Sequence, residues 1–214
     1  METNNTFIPV ADKIFDYYIC RKYNGFYFEA GCNDGVQQSN TLRLERERGW
    51  SGILCDASPD AIETCAKNRS VNTNMIVHAA LSTPENDGKL LMGDWDGHLM
   101  GSQFGQRLNR PAKIAVPATT ITTILKKHGV QVIDLMILDL EGREMEALTG
   151  MDFTYCHPRI MLIEANGDPE PMVKYLRQKG YYGRNYSQFT QENNPTWDGT
   201  HNDYLFERVG DCWD

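Results

Sequence analysis

The chain has 214 residues, 41% of them hydrophobic and 23% charged, with a formal net charge of −8. A chain of this length suits one domain and buries roughly 70% of its unfolded surface, so it needs neither disulfides nor a structural metal to hold a core. The acidic balance argues against a broad nucleic-acid face. No apolar run approaches the roughly 20 residues that a membrane-spanning helix needs, so no membrane partner is expected.

Six cysteines (Cys20, Cys32, Cys55, Cys65, Cys156 and Cys212) include no C-x-x-C pair, and the polar start at Met1–Asn5 leads into no signal-type apolar stretch. The expectation is a reduced, cytoplasmic setting with the cysteines acting as small core residues.

In chain order, residues 1–24 carry Ile14, Phe15, Tyr18 and Ile19 and read as a helical segment packed on the rest. Gly25–Glu29 reads as a short buried strand ending at a glycine turn. A helix is expected from Ser39, as N-cap, to Arg48, with Gly49 ending it. Ser51–Asp56 is the next strand. Ser58 caps a helix that Pro59 opens and that runs to about Asn68. Met75–His78 is a third strand. The segment 82–118 is punctuated by Gly88, Gly93, Gly97, Gly101 and Gly105 and reads as an insertion: strands and a loop, an edge hairpin or a lid. Thr120–His128 is a helix with Ile121, Ile124 and Leu125 on one face, stopped by Gly129.

The unbroken apolar run Leu135–Leu138 fits a strand covered on both faces. A helix over Arg143–Leu148, a strand over Ile160–Glu164 and a helix over Pro169–Lys179 follow. Two closing strands begin at Tyr181 and span Asp203–Glu207. Strands alternating with helices imply an α/β fold, residues 1–214 as one domain, with a mostly parallel central sheet, helices on both faces and an antiparallel C-terminal strand.

Three places carry chemistry. The first is Glu29-Ala-Gly31-Cys-Asn33-Asp34-Gly35, after a strand and before a helix, where glycines allow a tight turn and a close approach to a ligand. It is not G-x-G-x-x-G, and an acid precedes its first glycine. A pyrophosphate disfavours a neighbouring carboxylate. A methionine-type cofactor brings an ammonium and a sulfonium, which suit Glu29 and Asp34. The second is Asp56, at the end of the second strand, where an acid can bind a ribose diol. That feature fits NAD as well as S-adenosylmethionine. The third is Asp139-Leu-Glu141-Gly-Arg-Glu144, after the apolar strand. Asp139, Glu141 and Glu164 are expected to converge at the carboxyl edge, as general bases or as ligands of a divalent cation such as Mg²⁺. Glu144 reads instead as an acid favoured at a helix start. His98, in the insertion, reads first as a solvated loop residue and second as a base arriving with a lid. The histidines lack zinc-site spacing. The aromatic run Tyr181–Tyr186, with Trp197, reads first as strand-edge packing and second as a stacking surface.

With these blocks on the page, the chain resembles the FkbM-type methyltransferases. The blocks are Phe-Glu-Ala-Gly-Cys-Asn-Asp-Gly (28–35) with Ser-Asn-Thr-Leu following, Gly-Trp-Ser-Gly-Ile-Leu-Cys-Asp (49–56), His-Ala-Ala-Leu-Ser (78–82) and Ile-Asp-Leu-Met-Ile-Leu-Asp-Leu-Glu-Gly-Arg-Glu (133–144). The resemblance implies a Rossmann-like class I methyltransferase fold. It also implies S-adenosylmethionine-dependent O-methylation of a hydroxyl on a sugar or small metabolite. By position, Glu29, Gly31 and Asp34 would line the methionine end, Asp56 the ribose, and His78 and Ala79 the adenine. Asn33, Gly35, Ser39, Ala57 and Asp139 complete the expected cofactor-binding set, and Asp139, Glu141 and Glu164 would face the transfer. The family often has Glu-Pro where this chain has Asp56-Ala57. The small insertion favours a modest acceptor, or a pocket completed by a second copy in a homo-oligomer. Two other readings compete: a nicotinamide-dependent oxidoreductase, and a non-catalytic binding domain of the same fold.

Overall fold

The computed structural model describes residues 22–95, 109, 111–187, 190, 192 and 199–210. The expected N-terminal helix, the tip of the insertion with His98, and Trp197 lie outside them, as do Cys20 and Cys212. Ten strands and five α-helices are described: β1 (Phe26–Ala30), α1 (Leu42–Arg48), β2 (Ser51–Asp56), α2 (Pro59–Asn68), β3 (Asn74–His78), β4 (Ala80–Leu81), β5 (Leu90–Gly93), β6 (Ile114–Thr119), α3 (Ile121–His128), β7 (Leu135–Leu138), α4 (Glu144–Thr149), β8 (Ile160–Asn166), α5 (Glu170–Gln178), β9 (Tyr181–Asn185) and β10 (His201–Arg208).

Seven strands form the main sheet, in the order β3-β2-β1-β7-β8-β10-β9. The first five run parallel, and β10 is antiparallel to both of its neighbours. The fold is therefore the mixed α/β architecture that the strand–helix alternation implies. Strands β2 and β7 flank β1 on opposite sides. The chain direction across the sheet thus reverses at the β1–β7 boundary, where open α/β sheets form a ligand crevice beyond the strand ends.

Side chains alternate across β1, so Tyr27 and Phe28 enter different cores. Phe28, Ile53, Met136 and Ile163 pack under α3, α4 and α5 through Leu125, Leu148 and Leu176. Tyr27, Leu54, Ile137 and Leu162 pack on the other face with Leu44 of α1, Cys65 of α2 and Trp50. Helices thus cover both faces, which is why all four residues of β7 are buried. Cys32, Cys55, Cys65 and Cys156 are buried free thiols. Among the described residues, no helix is long and apolar enough to cross a membrane.

Local signals explain most boundaries. The Ser58 hydroxyl accepts the Ala61 N–H and Pro59 opens α2. The Thr120 hydroxyl caps α3 and left-handed Gly129 ends it. The largest shift of a helix start is at α1, which begins at Leu42, not after a cap at Ser39. Gln38 is left-handed, with φ 58°. The Ser39 hydroxyl accepts the Leu42 N–H at 3.2 Å and donates to Glu29 at 3.2 Å, so the chain stays wrapped around that carboxylate instead of coiling. Between β3 and α3, β5 and β6 form an antiparallel pair, and β4 joins β6 in parallel. Ala80 and Leu81 of this small sheet and Trp95, just after β5, line the cavity described below.

Candidate functional site

A cavity of about 250 Å³ opens at the carboxyl ends of β1, β2 and β7. Its floor is the turn after β1. Gly31 has φ 80°, and a Cβ there would lie 1.9 Å from the Asp139 carbonyl oxygen, so only glycine fits. The Gly31 N–H donates to the Cys55 carbonyl at 3.0 Å, and the Asp139 N–H donates to the Ala30 carbonyl at 3.1 Å. These bonds lock the ends of the three strands together.

Glu29 lies at the base of this turn. Its carboxylate accepts the Ser39 hydroxyl, the Asn40 N–H at 2.9 Å and the Thr41 hydroxyl. The Arg69 guanidinium stands 3.9 Å away, with its side chain fully buried. Arg69 also donates to Glu45 at 2.6 Å, to the Gly35 carbonyl at 3.0 Å and to the Tyr27 hydroxyl at 2.8 Å. Burial raises the Glu29 pKa, while Arg69 and the three donors act against the rise. Asp56 is also pushed up by burial and opposed by hydrogen bonds. Its two oxygens accept the Asn33 and Ser58 N–H groups, each at 2.8 Å. This arrangement leaves lone pairs for a diol.

The opposite wall is richer in acid. Glu164 of β8 and Asp203 of β10 are direct cross-strand partners. Asp139 follows β7 and shares a small cavity with Glu164. Burial and then the charges of Glu164, Asp203 and Glu144 raise the Asp139 pKa well above its ordinary value. Burial, with Glu141 and Glu144, pushes Glu164 up to about 8. Burial alone pushes Asp203 up to about 6. Asp139 and Asn40 belong both to the main cavity and to a small second one lined by Glu164 and Asp203. The Asn40 Oδ1 is buried and has no hydrogen-bond partner among the described residues. A buried acceptor left open beside two carboxylates suits a donor on a ligand.

Of the residues expected from sequence, Glu29, Gly31, Asn33, Asp56, Ala57, Ala79, Asp139 and Glu141 line the main cavity. Five do not. Asp34 turns inward to accept the Val36 and Gln37 N–H groups, at 2.8 and 2.7 Å. Gly35 packs against Arg69 and Cys65. Ser39 is buried between Glu29 and Arg69. His78 is exposed, with Nε2 3.1 Å from the Ala57 carbonyl. Glu164 lines the second cavity. Glu144 closes the turn after β7, accepting the Leu140 N–H at 2.8 Å and the Gly142 N–H at 3.2 Å. Tyr181 is core, its hydroxyl donating to the Pro158 carbonyl at 2.6 Å, which agrees with strand-edge packing. The expectation of a divalent cation finds no support: among the described residues, no group of three or more His, Cys, Asp or Glu side chains could hold a metal ion.

Sequence reasoning missed Asn40, Trp95, Arg143 and the pairing of Asp203 with Glu164. Asn40 stood inside the quoted Ser-Asn-Thr-Leu block but was passed over, and Trp95 had no signal beyond its glycine-rich surroundings. Arg143 stood inside a quoted block but was passed over between two acids. The Asp203 pairing depends on strand register, which no local pattern reveals.

A family model described as the methyltransferase FkbM domain matches residues 29–182. No curated protein matches the chain. Among solved structures, the fold is similar to the methyltransferase FkbM of Methylobacillus flagellatus, with TM-score 0.59, 11% identity and coverage of 94% of this chain and 48% of that one. This chain thus spans about half the length of that protein. The fold is also similar to the METTL16 methyltransferase domain, with TM-score 0.54, 12% identity and coverage of 94% and 65%. A third is the precorrin-6y C5,15-methyltransferase of Geobacter metallireducens, with TM-score 0.51, 7% identity and coverage of 92% and 84%. At these identities the structures establish a Rossmann-like class I fold. The family match decides between the two cofactor readings, in favour of S-adenosylmethionine.

Proposed function

The chain belongs to the FkbM methyltransferase family, and on that premise we propose that it transfers a methyl group from S-adenosylmethionine to a hydroxyl oxygen of a sugar or another small metabolite. The observation that carries this reading is the placement of Asp139. It stands on the wall shared by the main cavity and the acid cluster, beside Glu164 and Asp203.

The residues present fit the cofactor. Asp56 would accept the ribose hydroxyls, and Glu29 with Asn40 Oδ1 would receive the ammonium. When bound, the cofactor supplies a methyl group on a sulfonium. The protein's work is then to orient the acceptor and take its proton. Asp139 and Glu164 act as one proton-holding unit. Their raised pKa values bring a carboxyl base towards neutral pH, where a general base is most effective. Glu141, on the same wall, would orient the acceptor at the mouth.

Calorimetric titration with S-adenosylhomocysteine and NAD in parallel tests the cofactor. Binding of NAD alone would overturn the reading. Asp139→Asn then tests the base, in a screen of sugars and hydroxylated metabolites run with and without Mg²⁺. The variant is expected to bind S-adenosylhomocysteine within a few-fold of the parent and to lose on the order of 10²–10⁴-fold in turnover. Methylation of an amine, with no hydroxyl substrate found, would remove the O-methyl assignment and leave the family assignment intact.

A further inference from the structure

Trp95, which follows β5, is buried yet lines the main cavity, and it is the one aromatic side chain among the described residues that does so. It packs in a small cluster with Ala80, Leu91, Val116 and Ala118, and Ala57 leans on that cluster. Ala57 immediately follows Asp56. The Ala79 N–H donates to the Asp56 carbonyl at 3.0 Å, which brings the Ala79–Leu81 stretch beside the same acid. The cavity therefore changes character across Asp56. Glu29, Asn40 and Asp139 lie on one side, and Ala57, Ala79, Leu81 and Trp95 on the other. A ligand whose ribose is held at Asp56 and whose charged end faces Glu29 must direct its base towards the apolar side.

Gly93 sets the indole there. A Cβ on Gly93 would lie 2.5 Å from the Trp95 ring, so the ring rests directly on that backbone. The small β4–β6–β5 sheet supplies the rigid support.

We propose that the Trp95 indole forms one wall of the adenine subsite, making the β5–β6 hairpin a specificity element for a purine nucleoside ligand. The proposal rests on the cofactor reading above. A flat apolar ring suits a purine face, and base–aromatic stacking typically accounts for about a 5- to 100-fold change in affinity.

The test uses the full chain and two ligands, S-adenosylhomocysteine and 5′-methylthioadenosine, which share adenosine and differ in the amino-acid end. Trp95→Leu should weaken both by the same factor, about 5- to 100-fold. Gly93→Ala, which keeps the indole but pushes it, should weaken both as well. Trp95→Phe should bind within about 5-fold of the parent. In a Trp197→Phe/Trp213→Phe background, where Trp50 and Trp95 are the remaining tryptophans, it should lose the ligand-induced change in tryptophan emission, because Trp50 is fully buried in the opposite core. If Trp95→Leu does not fold, as judged by circular dichroism, the emission change in that background and its loss in Trp95→Phe decide the matter. Affinities within 2-fold of the parent for Trp95→Leu, or an unchanged emission response in Trp95→Phe, would overturn the proposal while leaving the cofactor reading standing. A parent that binds neither ligand would overturn the cofactor reading itself, and the proposal with it.

Discussion

Around Glu29 and Asp56, at the ends of β1 and β2, the carboxylates are met by N–H groups, hydroxyls and the buried Arg69. Around Asp139, Glu164 and Asp203, at β7, β8 and β10, the nearest influences after burial are other carboxylates. Both groups stand at the carboxyl edge of one sheet, and burial raises the pKa in each. What differs is the compensation. In the first group donors and, at Glu29, the guanidinium oppose the rise. The second lowers its energy by holding protons, since like charges this close cannot all ionise. One sheet edge thus carries acids met by donors beside acids that crowd one another.

The largest expected effect comes from removing the compensation in the first group. Arg69→Met leaves Glu29 and Glu45 without their buried partner and should destabilise the fold by about 3–5 kcal/mol, read from denaturant midpoints. A loss below about 1 kcal/mol would show that the hydroxyls and N–H groups suffice without the guanidinium.

The second group should respond in the opposite sense. Glu164 is pushed from its ordinary value of 4.5 up to about 8, so the folded chain binds its proton more tightly than the unfolded chain does. Its contribution is fully present below pH 4.5 and is lost as pH rises through about 8. Unfolding free energy measured from pH 5 to 9 should therefore fall with pH in the parent. Glu164→Gln should flatten that fall and be more stable at high pH by on the order of 2–4 kcal/mol. A parallel slope in the variant would assign the proton elsewhere in the cluster.

The smallest effect sharpens the contrast at a single residue. Asp56→Asn keeps one acceptor oxygen for the turn but loses the charge offered to the ribose. It should weaken S-adenosylhomocysteine by about 10- to 100-fold. Unchanged binding would remove the ribose role from Asp56.

Much of this was legible in order along the chain. The run Leu135–Leu138 is the fully buried strand its composition implies, and Ser58-Pro59 opens α2 as expected. Gly31, Asp56 and Asp139 stand at strand ends because each strand stops where its apolar run stops. Other features were not readable. Arg69 follows a helix and looks like a solvated helix-end cation; its burial depends on Tyr27, Gly35, Thr41 and Glu45 folding around it. Ser39 looked like a helix cap because its competing partner, Glu29, is distant in sequence. Trp95 sat in a glycine-rich stretch with no period to interpret.

The sequence by itself determined the alternation of elements, the parallel sheet and the acids at its edge, since apolar periodicity and turn chemistry act over a few neighbouring residues. Only the tertiary structure decided which of those acids are neutralised and which crowd together. That depends on strand order and on the Asp203–Glu164 register, which bring charges from distant parts of the chain into one low-dielectric space where a few ångströms set the protonation state.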